Sequence, residues 1–314
     1  MDNSSELHVV FGASGSIGSA LVRELAKRGK RVRAVNRTGK AELPASIEII
    51  KGDASNLNSA RQACQGAGVV HHCVNLPYEE WSKGLPPIMD NIIDATAAAG
   101  AKLVFADCLY VYGAVQAPMT EDLPLRPATR KGRIRSLLAY KLIEAEKKGK
   151  LRSVTVRASD FYGPGVLNSI AAELVFKPML AGKKGMWLGS LDAPHSMSYT
   201  EDVARGIVML TEIDSAFGQV WFIPAGKPPS GRQFIEMAFK EAGLSPKMGV
   251  RKAAAMSMAG IFSAMVREQT ELLYQFEKPF VMDTSKFMRE FPDFVPTPLQ
   301  EAMKKSVQWF HEHK

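Results

Sequence analysis

Three glycines, at positions 12, 15 and 18, end the apolar run Leu7-His8-Val9-Val10-Phe11 and set up the turn Gly12-Ala13-Ser14-Gly15-Ser16-Ile17-Gly18. A glycine turn between a buried strand and a helix lets backbone N–H groups approach a diphosphate, with the positive end of the helix behind them. A phosphate-bearing ligand is therefore expected there. A second constellation is Lys131 and Arg135, which stand one helical turn apart and share a face. Two such cations disfavour each other's charge, and arginine keeps its proton, so Lys131 is a candidate acid or base and Arg135 a candidate holder of an anion, the alternative being that both merely bind phosphate or substrate charge. Cys108 could act as a nucleophile or redox sensor, although a small buried hydrophobe is the commoner fate of a lone cysteine. Beside it, Asp107 and Tyr110 are candidate acids. Tyr78 and Trp81, in the segment 75–81, are expected to contact substrate and exclude water from a reaction.

These residues need a frame. Ile17, Ala20, Leu21 and Leu25 give the first helix an apolar stripe, and Gly29 closes it. Short β-branched stretches at 31–36, 47–50, 69–74, 103–106 and 153–157 read as strands, with helices near 56–65, 86–99 and 131–148 between them. That alternation predicts an α/β chain, a Rossmann-type doubly wound parallel sheet, with ligands at the carboxyl ends of the strands. Past residue 160 glycine and proline become more frequent, which predicts a nucleotide-binding domain over 1–165 and a smaller substrate lobe over 166–314, with chain near 195–225 returning to the sheet. Helices are expected at 200–213, 231–242 and 299–312. Met256, Met258 and Met265 read as core or subunit contact.

Composition narrows the classes. With 314 residues, 46% hydrophobic and 23% charged, the chain reads as an ordinary globular protein; no apolar run reaches membrane-spanning length and the first residues lack the pattern of a secretory signal, so the expected compartment is the cytoplasm. Three scattered cysteines and six scattered histidines predict neither disulfides nor a metal site. The net charge of +8 is local: ten basic residues between Arg126 and Arg152 face only Glu144 and Glu146. A solvated helix face is the plain reading, an anionic small-molecule substrate the next, and nucleic acid a distant third without an aromatic platform or helix-turn-helix pattern.

In order along the chain, Gly12-x-x-Gly15-x-x-Gly18, Gly52-Asp53, Val111-Tyr112-Gly113, Thr120-Glu121-Asp122, Arg157-x-x-Asp160-x-Tyr162-Gly163-Pro164-Gly165, Tyr199-Thr200-Glu201-Asp202-Val203-Ala204 and Asp283-Thr284-Ser285-Lys286 resemble the landmarks of the extended short-chain dehydrogenase/reductase superfamily, the NAD(P)-dependent sugar epimerases and dehydratases. The resemblance spans almost the whole chain. It implies a cofactor site of Gly12, Ser14, Gly15, Ser16, Ile17, Gly18, Asn36, Arg37, Asp53, Ala54, Asn75, Arg135, Ala158 and Ser159, substrate contacts from Asp160 and Tyr162, and a homodimer through the helices flanking the catalytic segment. The family's catalytic Ser/Thr, Tyr and Lys fall here on Cys108, Lys131 and Arg135, so the chain resembles an atypical member. Its expected activity is hydride transfer on a carbonyl or alcohol, with the alternative of a catalytically silent redox-sensing regulator. At the end of the second strand Asn36-Arg37-Thr38 offers no acid for a ribose 2′-hydroxyl, and Arg37, helped by Arg33 or Lys40, predicts NADP(H) over NAD(H).

Overall fold

The computed structural model describes residues 6–116, 118–251, 268 and 270–313. Apolar, β-branched stretches form β1 (Leu7–Phe11), β2 (Arg31–Asn36), β3 (Glu48–Lys51), β4 (Ala67–His72), β5 (Lys102–Cys108) and β6 (Ser153–Ala158). With the strand Gln219–Phe222 they make one seven-stranded sheet, in the order 219–222, β6, β5, β4, β1, β2, β3. The β1–β2, β1–β4, β2–β3 and β4–β5 pairs are parallel. All five residues of β1 are buried, as a strand covered on both faces requires. The order turns back between β1 and β4, which makes the carboxyl ends of these two strands the natural ligand crevice of a Rossmann-type α/β fold.

Connections are made by α1 (Ser16–Lys27), α2 (Leu57–Ala63), α3 (Trp81–Ala98) and α4 (Arg130–Lys147). α3 starts at Trp81, five residues before the expected boundary, and carries Pro86 and Pro87 inside it. Proline ordinarily argues for a helix start, but here a turn of helix precedes the pair. β4 ends at His72 rather than 74, so that 73–75 leave the sheet at its carboxyl edge.

The chain divides into two compact units. The first holds the described residues up to Cys108 with Arg133–Arg157 and Val203–Trp221. The second holds Leu109–Gly132, Ala158–Asp202 and the described residues from Phe222 onward. Its core is aromatic, with Tyr162, Phe176, Trp187, Tyr199, Phe234 and Phe276 buried together. Two small parallel pairs lie in it, Asp160–Tyr162 with Met197–Tyr199 and Gly185–Leu188 with Met248–Arg251. The helices Gly231–Glu241 and Leu299–Glu312 flank this core, the former closed by a capping box of Ser230 and Gln233. Met256, Met258 and Met265 lie outside the described residues. Among the described residues no helix is long and apolar enough to cross a membrane, and no cluster of metal-ligating side chains occurs.

Candidate functional site

At the end of β1, Gly12 has a φ of +78°, and a Cβ there would lie 2.6 Å from the Cys73 carbonyl oxygen. A Cβ on Gly18 would fall 2.2 Å from the Gly12 oxygen. Both positions therefore demand glycine so that α1 can press onto the turn. Gly15 is different: it and Ser14 are exposed, and its Cβ would meet only the Gly12 oxygen, at 3.2 Å. Gly15 is also the N-cap of α1 and offers no side-chain acceptor, and the first turn holds no acid. The N–H groups of a helix start thus face outward beside a bare backbone, which is the chemistry a diphosphate needs.

The end of β2 is built by Asn36. Its Oδ1 accepts from the Thr38 and Gly39 N–H groups and from the Thr38 hydroxyl, and its Nδ2 donates to the Lys40 carbonyl. The side chain expected to touch cofactor is spent on shaping the 36–40 turn, which leaves Arg37 and Lys40 exposed on it. Arg33 is not available as a helper, because its guanidinium bonds Glu48 and the carbonyls of Ala63 and Gln65. Asp53 accepts from the Ser55 hydroxyl and N–H, and these hydrogen bonds hold its carboxyl below the usual range. Ala54 is buried, its carbonyl taken by Asn91 of α3.

Beyond β4 and β5 the first unit buries a charged cluster. Asp107, with no exposed side-chain surface, accepts from Arg157 Nε at 3.0 Å and faces Arg135 Nη1 at 3.7 Å. Arg135 also donates to Asn75 Oδ1 at 3.2 Å and lies over the Trp81 ring, 4.4 Å from its centroid. Trp81 is thereby corrected: it is not a loop residue awaiting substrate but a buried platform, fixed by its Nε1 donating to the Leu76 carbonyl at 2.8 Å. Tyr78 sits edge-on to it and is half-buried. Asp107 is bound between two arginines, which makes it a counter-ion and not the substitute acid expected. His72 lies beside this cluster, where burial and then the Arg135 charge push its ring down to about 3. Cys108, half-buried, ends β5.

In the second unit Lys131 is fully buried, and its charge, expected to be disfavoured by a neighbouring arginine, is answered by two carboxylates. Its Nζ bonds Glu271 Oε2 at 2.7 Å, the Glu268 carbonyl at 3.0 Å and the Glu268 carboxylate. Arg130 donates to the same two acids. Burial alone would raise the Glu268 carboxyl, but Lys131 and Arg130 bring it below its ordinary value. Tyr110 is buried in the turn Leu109–Tyr112, its carbonyl so close to Gly132 that a Cβ there would stand 2.5 Å away. Tyr162 is corrected as well: it packs against Tyr199 and Phe234 in the core, so burial raises its hydroxyl and it is not a pocket wall. Asp160 bonds His195 at 2.7 Å. Ala158 and Ser159 are buried, and the Ser159 N–H donates to Ser198 Oγ.

Most of the local positive charge is thus answered. Lys141 pairs with Asp90, Lys150 with Asp94, Arg152 with Asp214, and Arg130 and Lys131 with Glu268 and Glu271. The acids lie far away in sequence, and His195, Glu268 and Glu271 went unnoticed as site residues. The i, i+3 spacing of Glu268 and Glu271 was the available signal.

Relatives bear on this arrangement. The chain is 24% identical to the uncharacterized protein y4nL of Sinorhizobium fredii over 323 residues, 93% of this chain and 86% of that one. It is 28% identical to the 2-alkyl-3-oxoalkanoate reductase of Stenotrophomonas maltophilia over 258 residues, 75% of each. The UDP-glucuronic acid 4-epimerase of Bacillus cereus, solved with UDP-glucuronic acid and NAD, shares the fold at a TM-score of 0.81 with 20% identity, covering 98% of this chain and 100% of its own. The NAD dependent epimerase/dehydratase family matches residues 8–222, the stretch that carries the glycine turn, Asp107, Lys131 and Arg135, and the chain belongs to that family.

Proposed function

We propose that this protein binds NADP(H) at its glycine turn and transfers hydride between that cofactor and a carbonyl or alcohol substrate. The observation that carries the reading is the uncapped, exposed start of α1 behind a turn where Gly12 and Gly18 admit no Cβ. The cofactor, when bound, supplies the hydride. Gly12–Gly18 would hold its diphosphate, Arg37 with Lys40 a 2′-phosphate, and Asp53 and Ala54 the adenine side. Asn75, Ala158 and Ser159 would complete the cofactor contacts, while Arg135, aimed by Asn75, Asp107 and Trp81, would hold the nicotinamide ribose or an anionic group of the substrate. Tyr78 and Asp160 are the proposed substrate contacts. The exposed stripe Leu137, Tyr140 and Ile143 on α4, with Ile93 of α3 in the groove beside it, supports a homodimer.

Calorimetric titration with NADPH and NADH tests the cofactor, and NADPH oxidation with a panel of aldehydes, quinones and nucleotide sugars tests the reaction. Equal affinities would remove the NADP preference. A second reading, a catalytically silent NADP(H)-responsive regulator, draws support from the way Glu268 and Glu271 tie down Lys131 at the position of the family's tyrosine. Tight NADPH binding without turnover on the whole panel would favour it.

A further inference from the structure

Asp160 stands two residues past the end of β6, on the side of the strands where ligands of such sheets lie. Its Oδ2 is 2.7 Å from His195 Nε2, while His195 Nδ1 is 3.2 Å from the carbonyl oxygen of Gln275. The imidazole is stacked on Phe276 at 4.3 Å and on Phe280 at 5.4 Å, with Trp187 edge-on at 6.2 Å. Its titratable partner among the described residues is Asp160; Tyr274 stands perpendicular to the Phe280 ring.

A neutral imidazole donates from one nitrogen only. The Gln275 carbonyl can only accept, so Nδ1 carries a hydrogen. The bond to Asp160 then requires a second hydrogen, held on Nε2 or on the carboxyl. Aromatic walls keep water from the ring, and the Asp160 side chain, 9% exposed against 2% for His195, is the outward edge of the pair.

We propose that Asp160 and His195 form a dyad that holds this second hydrogen as a transferable proton, and that Asp160 delivers it to the carbonyl oxygen of the substrate. The proposal rests on the hydride-transfer reading. As the cofactor's hydride forms the new C–H bond, the carbonyl π electrons move to oxygen and take up the dyad's proton as O–H. The pair is left as a carboxylate beside a neutral ring protonated at Nδ1, and a proton from water restores it. Asp160 is the catalytic residue and His195 its positioning residue. The substrate class this implies is an aldehyde or ketone, for whose oxygen the protein must supply the proton.

Two measurements test this. In protein labelled with 15N-histidine and free of cofactor, spectra of the ring nitrogens should show a slowly exchanging hydrogen in the Nε2–Asp160 bond, absent in Asp160→Ala. In NADPH oxidation with the aldehyde or quinone turned over best, Asp160→Asn should lower kcat about 100-fold with NADPH affinity by calorimetry unchanged. His195→Gln should lower kcat too and remove one limb of the kcat pH profile, which a merely structural role would leave in place. A wild-type spectrum with no slowly exchanging hydrogen in the Nε2–Asp160 bond, or an Asp160→Asn variant with full kcat, overturns the dyad. Absence of any NADPH heat overturns the hydride-transfer reading instead, and the nitrogen spectra still judge the dyad by themselves.

Discussion

Replacing Asp107 with asparagine keeps shape and removes one charge, and the consequence follows from its surroundings. The carboxylate has no exposed surface, and the two guanidiniums it serves, Arg157 and Arg135, have side chains 3% and 7% exposed. Asp107→Asn would remove the negative charge that both guanidiniums face, where water cannot replace it. Breaking a buried pair from one side costs about 3–5 kcal/mol, a large part of a domain's total of about 5–15 kcal/mol. Urea unfolding followed by far-ultraviolet circular dichroism should show that loss as a lower midpoint with little change in slope. Because the destabilising agent is the stranded charge and not a lost contact, adding Arg135→Met to Asp107→Asn should recover part of the stability. The reasoning fails if Asp107→Asn costs less than about 1 kcal/mol, or if the double variant is no more stable than the single one.

Other outcomes follow from the same kind of reading. Gly18→Ala puts a methyl 2.2 Å from the Gly12 oxygen, so nucleotide binding measured by calorimetry should be lost and the Tm should fall; wild-type affinity in that variant would remove the argument for close packing at the turn. Lys131→Met leaves Glu268 and Glu271, among the described residues, to Arg130 alone and should destabilise by about 1–3 kcal/mol in the same unfolding assay, and unchanged stability would show that the ion cluster is not formed in solution. His8 is lowered to about 4 by burial and then by Lys30, and His72 to about 3. Since both lie below the ordinary 6.5, the unfolded chain takes up protons first, and stability that is complete above that value is lost as pH falls toward 4 and 3. At about 1.4 kcal/mol per pH step for each ring, the two together should cost about 4 kcal/mol at pH 5. Thermal melts between pH 7 and 5 check this, and a flat Tm over that span would contradict the burial of these rings.

How far the sequence speaks for itself depends on the distance over which the determining forces act. The strand, turn and helix at Leu7–Lys27 could be recognised because periodicity, glycine and helix closure are all local. β2 matched its expected span for the same reason. Trp81 was placed in a loop because the helix was expected only from residue 86, whereas the indole's bond to Leu76 and its stack under Arg135 depend on tertiary contact. The expectation that Lys131 would feel Arg135 used helix geometry correctly and missed acids 137 and 140 positions away. Asp160 drew notice as part of a family motif, but His195 beside it could be found only once Asp160–Tyr162 and Met197–Tyr199 were seen to pair.

One further consequence lies in the strand Gln219–Phe222, which neighbours β6 at the end of the large sheet. A fragment cut where glycine and proline first become common, after residue 165, would lack it, leaving the outer row of N–H and C=O groups on β6 without their native cover. Such a raw border invites other chains to add on. Anyone expressing the nucleotide-binding half alone should therefore carry the polypeptide through residue 222, or expect fibrous or insoluble material in place of a usable truncation.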